Sequence, residues 1–392
     1  MKILLVEPDY YTKYPPLGLL KIGKMEERKF GLVDVRLVRG NSLLPDFVPD
    51  RIYITSLFSY AWEKVHSAIS FYTKIYTDSE IIVGGIYATL MSEHIKTNFP
   101  NICIYTGLFK EAEDLLPAYH LLKQVEKWKD WDKSILFTSR GCIRKCPFCV
   151  VPKMEGEYYA DKKSILKFIH PDHKRVVIWD NNFLASPYSK NILKELIEYK
   201  IIPDFNQGLD ARLIDDEIAV LLAKSKSKTI HFAYDFKEEA SAVKRVINFL
   251  EKAGFNKRNL IFYMLYNFYD PSNNMGDTPA DFFYRLNDLM KWGVTAYPMR
   301  YVPLDSLDKN KFISPYWNAE KLEMIAMARR VLGYGGSFVP YDGFVKKIKN
   351  SINFEEAMEL RPRKLGMNPN ELKTINIAHS VSNCSFNNFV SK

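Results

Sequence analysis

Two kinds of pattern alternate along the first third of the chain. Short apolar runs rich in β-branched residues occur at Lys2–Val6, Val33–Val38, Arg51–Thr55, Glu80–Val83 and Ile102–Tyr105. Stretches with a helical period lie between most of them, notably Ala61–Tyr76 and Glu111–Lys123. Short buried strands joined by helices predict a parallel sheet covered on both faces, a Rossmann-like domain over residues 1–125. Ligands of such sheets bind beyond the carboxyl ends of the strands. Two loops stand out there, Pro15-Pro16-Leu17-Gly18-Leu19-Leu20 and Val83-Gly84-Gly85-Ile86-Tyr87-Ala88-Thr89.

Gln124 to Lys133 is polar, carries Trp128 and Trp131, and reads as a linker. The alternation then resumes. Strand patterns at Ser134–Ser139, Arg175–Asp180, Asp204–Gly208, Thr229–Asp235, Leu260–Leu265 and Ala296–Tyr301 are separated by helical ones at Ser164–Ile169, Ser189–Tyr199, Asp215–Lys224, Glu238–Ala253 and Ala280–Trp292. These β/α units predict a partial (β/α)6 TIM barrel over residues 134–305, with its chemistry at the carboxyl ends of the strands. Past Asp305 the pattern stops, and residues 306–392 read as a small C-terminal helical appendage and tail. It holds one helical run, Trp317–Leu332, then Gly333-Tyr334-Gly335-Gly336, which reads as a flexible connection. Basic stretches follow at Lys346-Lys347-Ile348-Lys349 and Arg361-Pro362-Arg363-Lys364, and from Asn368 onward a polar tail.

A chain of 392 residues suffices for two such cores, and its 47% hydrophobic content suits a globular α/β protein. It has no apolar run of the roughly 18 residues a membrane helix needs. The first residues turn acidic at Glu7, too early for a secretory signal, so a cytoplasmic, reducing location is expected. The net charge of +9 tilts the expected substrate towards an anion. Lysines alternate with glutamates on the helices, however, and no DNA- or RNA-recognition motif is legible, which leaves a nucleic-acid partner open.

The chemistry concentrates in Ser139-Arg140-Gly141-Cys142-Ile143-Arg144-Lys145-Cys146-Pro147-Phe148-Cys149, where three of the five cysteines are spaced C-x3-C-x2-C. Buried cysteines acting as small hydrophobes need no such spacing. Metal ligation does, by an iron–sulfur cluster or by zinc. Three thiolates are one fewer than a closed [4Fe–4S] cluster takes, so one iron would stay open to a small molecule. The zinc alternative would take His170 or His173 as a fourth ligand and make the chain a zinc-stabilised nucleic-acid-binding protein using its basic C-terminal segment. Cys103 and Cys384 are too few for a second cluster, and Cys103 reads as a buried strand residue.

The C-x3-C-x2-C spacing, with Pro147-Phe148-Cys149 at its end, resembles the signature of the radical S-adenosylmethionine (radical SAM) superfamily. The resemblance implies a [4Fe–4S] cluster on Cys142, Cys146 and Cys149 that cleaves S-adenosylmethionine to a 5′-deoxyadenosyl radical, fed by an electron donor such as flavodoxin or ferredoxin. It also places Phe148 where adenine is read, and Asp180, Asn181 and Asn182 near the amino group of S-adenosylmethionine, where the family often has Gly-Gly-Glu. An Asx-rich turn explains those three residues equally well. At further strand ends, Gln207, Asp210, Arg212 and Asp235 are candidates for the nucleoside or substrate, with a structural role as the alternative for each.

The order of the two domains resembles the cobalamin-binding (class B) radical SAM subfamily, with Gly84, Gly85, Ala88 and Thr89 as its loop near the corrin. That would make cobalamin-dependent methyl transfer the reaction. The chain departs from this subfamily in three places. The connection from Arg39 to Asp50 is too short for a helix, Thr106-Gly107-Leu108-Phe109-Lys110-Glu111 replaces an acidic Gly-Glu-Gly-Glu pattern, and no Asp-x-His-x-x-Gly stretch supplies an axial histidine. No substrate-specific motif is legible.

Overall fold

The computed structural model describes residues 1–31, 33–331 and 335–359. Its first sheet is parallel throughout, in the order β2-β1-β3-β4-β5, from β1 (Lys2–Glu7), β2 (Asp34–Arg39), β3 (Arg51–Ser56), β4 (Glu80–Gly85) and β5 (Cys103–Ile104). Along β1 the side chains of Ile3 and Leu5 enter one core while Leu4 and Val6 enter the other. A continuous apolar run is therefore what this position requires, because both faces of the strand are covered. Leu19 and Leu20 of α1 (Leu17–Phe30) close the first core; Val65, Ala68 and Ile69 of α2 (Trp62–Ile75) close the second. Two short helices, α3 (Ile86–Leu90) and α4 (Ser92–Asn98), follow β4.

Three expectations fail in this half. The helix expected over Glu111–Lys123 is two 3-10 turns, Lys110–Ala112 and Tyr119–Gln124, with Pro117 between them. A proline there cannot donate and blocks helix continuation. Cys103 is exposed, because it sits on the short edge strand β5. The stretch read as a linker is packed: Val125 and Trp128 belong to the same core as Ile3 and Leu5, and the Trp128 indole Nε1 donates to Glu7 Oε2 at 2.7 Å.

The second sheet begins with β6 (Lys133–Leu136), followed by β7 (Ser139–Arg140), α5 (Val151–Glu155) and β8 (Tyr159–Ala160), with β7 and β8 paired antiparallel. Next come β9 (Arg175–Ile178), α6 (Ser189–Glu198), β10 (Ile202–Leu209), α7 (Asp216–Lys224), β11 (Ile230–Ala233), α8 (Ala240–Lys252) and β12 (Leu260–Tyr266). A small hairpin of β13 (Tyr269–Asp270) and β14 (Met275–Gly276) precedes α9 (Pro279–Trp292) and β15 (Thr295–Arg300). Six strands pair in parallel in the order β6-β9-β10-β11-β12-β15, the sequential order of an open barrel. The Thr-Pro-Ala-Asp start of α9 explains its sharp boundary. Thr278 Oγ1 accepts from the Asp281 N–H, the Asp281 carboxylate accepts from the Thr278 N–H, and Gly293 ends the helix in the left-handed region. Between β8 and β9 the expected helix Ser164–Ile169 is only a 3-10 turn, Leu166–Phe168; His170, directly before Pro171, is biased away from the helical region.

The chain after β15 is more than an appendage. Ala296 and Phe338 exchange backbone hydrogen bonds at 3.0 and 2.7 Å, which covers the edge of β15. α10 (Ala319–Val331), α11 (Asp342–Asn350) and α12 (Phe354–Met358) bury Ile325, Phe344, Ile348 and Phe354 in the barrel core. Lys346 and Lys349 in the basic stretch are the exposed face of α11. Gly333, Tyr334, Arg361–Lys364, Cys384 and the tail from Asn368 lie outside the described residues. Among the described residues no helix is long and apolar enough to cross a membrane.

Candidate functional site

The cysteine loop leaves the carboxyl end of β6 through Thr138 and Ser139, and Asp180 holds it there. The Asp180 carboxylate accepts from the Thr138 N–H at 2.6 Å, the Thr138 hydroxyl at 2.5 Å and the Ser139 hydroxyl at 2.6 Å. Asp180 is buried, which pushes its pKa up, and the three donors counteract that. It is an anchor for the loop and has no free face for a ligand's ammonium. A second carboxylate works beside it. Glu155, on α5, accepts from the Gly141 N–H at 2.7 Å, Arg140 Nη1 at 3.0 Å and Asn181 Nδ2 at 2.9 Å. Gly141 has φ of 70°, and a Cβ there would lie 2.6 Å from the Glu157 carbonyl oxygen, so the turn into the first cysteine needs glycine.

Cys142, Cys146 and Cys149 are free and partly exposed on this loop. The Cys149 N–H donates to the Cys146 carbonyl at 3.0 Å, and the Arg144 N–H points at Cys142 Sγ from 3.3 Å. Burial, then the neighbouring Cys149, Asp235 and Cys142, push the Cys146 thiol up to about 11. Burial also raises the Cys149 thiol. Such thiols ionise when they bind a metal. Among the described residues, no three His, Cys, Asp or Glu side chains converge where a single metal ion could sit. The thiolates of a cubane each take a separate iron, so the donor set fits a [4Fe–4S] cluster without meeting at a point.

The zinc alternative loses its fourth ligand. His173 Nδ1 lies 3.0 Å from the Ser134 hydroxyl, and the His170 N–H donates to that same oxygen at 2.9 Å. Ser134 is at the start of β6, so both histidines lie at the amino end of a strand whose carboxyl end bears the cysteines.

The opposite wall is organised by Asp210, where β10 ends. Arg212 grips it through Nε at 2.7 Å and Nη2 at 3.2 Å, and Arg144 Nε, from inside the cysteine loop, lies 2.8 Å away. Asn182 Nδ2 donates to the same carboxylate at 3.3 Å and faces Cys142 Sγ at 3.9 Å, while its buried Oδ1 has no partner. Arg212 also pairs with Glu239 at 3.1 Å. Sequence reasoning missed Glu155, Glu239 and the Arg144–Asp210 tie, whose partners are brought together only by the fold.

The remaining candidates separate. Gln207 is exposed on the irregular stretch of β10 between Phe205 and Leu209. Asp235 accepts from the Leu265 N–H at 2.8 Å, and burial pushes it up to about 6. Phe148 packs with Phe236 and Phe268, at ring separations of 6.0 and 5.5 Å. Asn182 thus remains the sequence-predicted residue with a free buried acceptor beside the thiols.

The Gly84–Thr89 loop is spent on its own packing. A Cβ on Gly85 would lie 2.1 Å from the Ser56 carbonyl oxygen. Ser56 Oγ donates to the Gly84 carbonyl and accepts from the Ala88 N–H, and the Thr89 hydroxyl donates to the Gly85 carbonyl and accepts from the Gly107 N–H. His66 Nε2 and His94 Nδ1 lie 2.8 and 2.5 Å from the Tyr87 hydroxyl. These residues therefore do not fit a corrin site: the loop's hydroxyls are already paired.

No family model matches the chain. A stretch of 144 residues is 24% identical to the ribosomal protein uS12 methylthiotransferase RimO of Clostridioides difficile (strain 630), covering 30% of this chain and 32% of that protein. The chain thus spans about a third of the length of that curated relative. Among solved structures, coproporphyrinogen III oxidase (HemN) from Escherichia coli, described as a radical SAM enzyme, is similar over 55% of this chain and 57% of that one, with a TM-score of 0.34 and 13% identity.

Proposed function

We propose that this chain is a radical SAM enzyme that holds one [4Fe–4S] cluster on Cys142, Cys146 and Cys149 and cleaves S-adenosylmethionine reductively to abstract a hydrogen atom from its substrate. The observation that carries the reading is the set of three free thiols on one short loop at the carboxyl end of the first barrel strand, where barrel chemistry sits. When bound, the cluster supplies the electron that breaks the sulfonium bond and generates the 5′-deoxyadenosyl radical.

The chain's own residues bind and orient. The Arg144 N–H lies close enough to stabilise the Cys142 thiolate. Asn182 offers its unpaired Oδ1 to a ligand ammonium beside the loop. Arg144 and Arg212, neutralised by Asp210 and Glu239, hold the wall facing the thiols. The rings of Phe148, Phe236 and Phe268 give that end of the site an apolar surface. Electrons would come from a small redox protein such as flavodoxin or ferredoxin. A second, cobalamin-dependent version ending in methyl transfer rests on the order of the two domains alone, and the Gly84–Thr89 packing gives it no support.

Anaerobic purification tests the reading. The protein should be brown, carry about four irons per chain and release 5′-deoxyadenosine from S-adenosylmethionine on reduction. Cys142→Ala, Cys146→Ala and Cys149→Ala should each lose colour and product, whereas Cys103→Ala should keep both. A colourless protein carrying zinc, with no 5′-deoxyadenosine released, would refute it. Uptake of hydroxocobalamin with its corrin absorption bands, together with a methylated product, would be needed for the second version.

A further inference from the structure

A cleft of about 430 Å³ opens between the segment after β3 and the carboxyl ends of β12 and β15. That is the size of a small-molecule site. One wall carries an aromatic pair: the rings of Phe58 and Tyr60 stack on each other at 4.9 Å with an interplanar angle of 9°, and Phe58 is exposed. Three cations contribute to the lining, Arg300 from the end of β15, Lys309 from the loop beyond it, and Arg329 from α10. Among the described residues, none of the three has a carboxylate within ion-pair distance, and the lining contains no Asp or Glu.

Elsewhere around the site this protein pairs its arginines. Arg140, Arg144, Arg212 and Arg285 each meet a carboxylate. Three positive charges without a carboxylate partner among the described residues repel each other across one cleft, and an anion removes that cost, although Arg329 Nε also donates to the Gly336 carbonyl at 3.1 Å. The Arg300 Nε is buried without a partner, although the same guanidinium donates through Nη2 to the Phe312 carbonyl at 2.9 Å. Lys309 Nζ lies 5.1 Å from the Tyr60 ring centroid, so cation and aromatic wall are adjacent. Phe148 of the cysteine loop is part of the lining, so an occupant of the cleft would lie beside that loop.

We infer that this cleft binds the substrate, a small molecule with a planar unsaturated ring and a carboxylate or phosphate. Its ring stacks against the outside of the Phe58–Tyr60 pair, and its anion is held by Arg300, Lys309 and Arg329. The inference rests on the reading of the cysteine loop given above and adds the substrate's chemistry to it. Aromatic rings interleaved with cations also suit single-stranded nucleic acid. One stacked pair in a cleft of about 430 Å³ fits a single ring system better than a running strand.

The test titrates the full chain with 2-naphthoate, 2-naphthyl phosphate and the neutral 2-naphthalenemethanol. At least one anion should bind about tenfold more tightly than the alcohol, and which one does distinguishes carboxylate from phosphate. Lys309→Glu and Tyr60→Leu should each weaken that anion about tenfold, while Lys244→Glu, the same charge change on the exposed face of α8, should not. Equal affinity for acid and alcohol, indifference to both cleft variants, or tighter binding of a twelve-residue oligothymidylate (about 12 nucleotides, a typical single-strand footprint) would overturn it. Release of 5′-deoxyadenosine by the unmodified protein reports separately on the cysteine loop. Naphthoate binding without that release would leave the cleft standing and remove the radical reading; release without anion preference would do the reverse.

Discussion

Arg144 Nε, inside the cysteine loop, and Asp210 Oδ2, at the end of the third barrel strand, lie 2.8 Å apart across the mouth of the barrel. Burial tends to raise the Asp210 pKa, but hydrogen bonds from Arg212 and Arg144 outweigh it and hold the carboxyl below its usual value. Asp210→Ala removes the shared partner of both arginines and of Asn182. It should therefore reduce iron retained after reconstitution to less than about half, since disrupting groups behind a metal's ligands weakens binding by one to two orders of magnitude. Asp210→Asn, which keeps the shape without the charge, should fall between. Iron analysis after gel filtration measures both.

Gly84 and Gly85 separate a packing role from a ligand role. A Cβ on Gly84 has its nearest neighbour at 3.6 Å, an ordinary contact, whereas on Gly85 it meets Ser56 oxygen at 2.1 Å with φ of 109°. Gly84→Ala should shift the urea midpoint little. Gly85→Ala should cost about 2 kcal/mol or more, because overpacking and a disallowed backbone act together.

Arg285 is fully buried behind the barrel mouth. It donates to the Tyr234 and Leu265 carbonyls at 3.0 Å and lies 3.4 Å from Asp277, which burial pushes up to about 7 despite the nearby guanidinium. Arg285→Leu strands the carboxyl and the carbonyls, and should destabilise by ~3–5 kcal/mol in urea unfolding of the metal-free protein. Adding Asp277→Asn should recover part of that loss.

His66 is buried next to His94, and burial first, then His94, lowers its pKa to about 4. Unfolded histidine titrates near ~6.5. Between those values the unfolded chain binds more protons than the folded one, so stability is present above about 6.5 and lost as pH falls towards 4. Urea midpoints measured at pH 7, 6 and 5 should drop in that order. His66→Gln should lessen the drop.

Period and spacing made the two sheets and the cysteine loop legible because each is a local property. Every residue from Ile3 to Val6 is buried, so the strand shows as a continuous apolar run. Pairings across the fold left no such trace. Asp180 reads as a ligand at a strand end, but its donors Thr138 and Ser139 come from the segment that leaves β6, 42 and 41 residues earlier. Lys309 and Arg329 stand in stretches without strand period, and only the fold brings them to one cleft. Trp128 failed as a linker residue for the opposite reason. A polar neighbourhood hid one large apolar group whose indole has a buried acceptor.

That tryptophan also limits how the protein can be divided. Glu7 is almost wholly buried on the first strand, its pKa raised by burial, and the Trp128 indole is its hydrogen-bond donor from 121 residues downstream. A gene cut after residue 125 would leave Glu7 with Arg39 at 3.5 Å but without its indole donor, and would give a carboxyl-terminal fragment trailing that indole in water. The first core therefore ends beyond Trp128, and a fragment meant to fold alone has to include it.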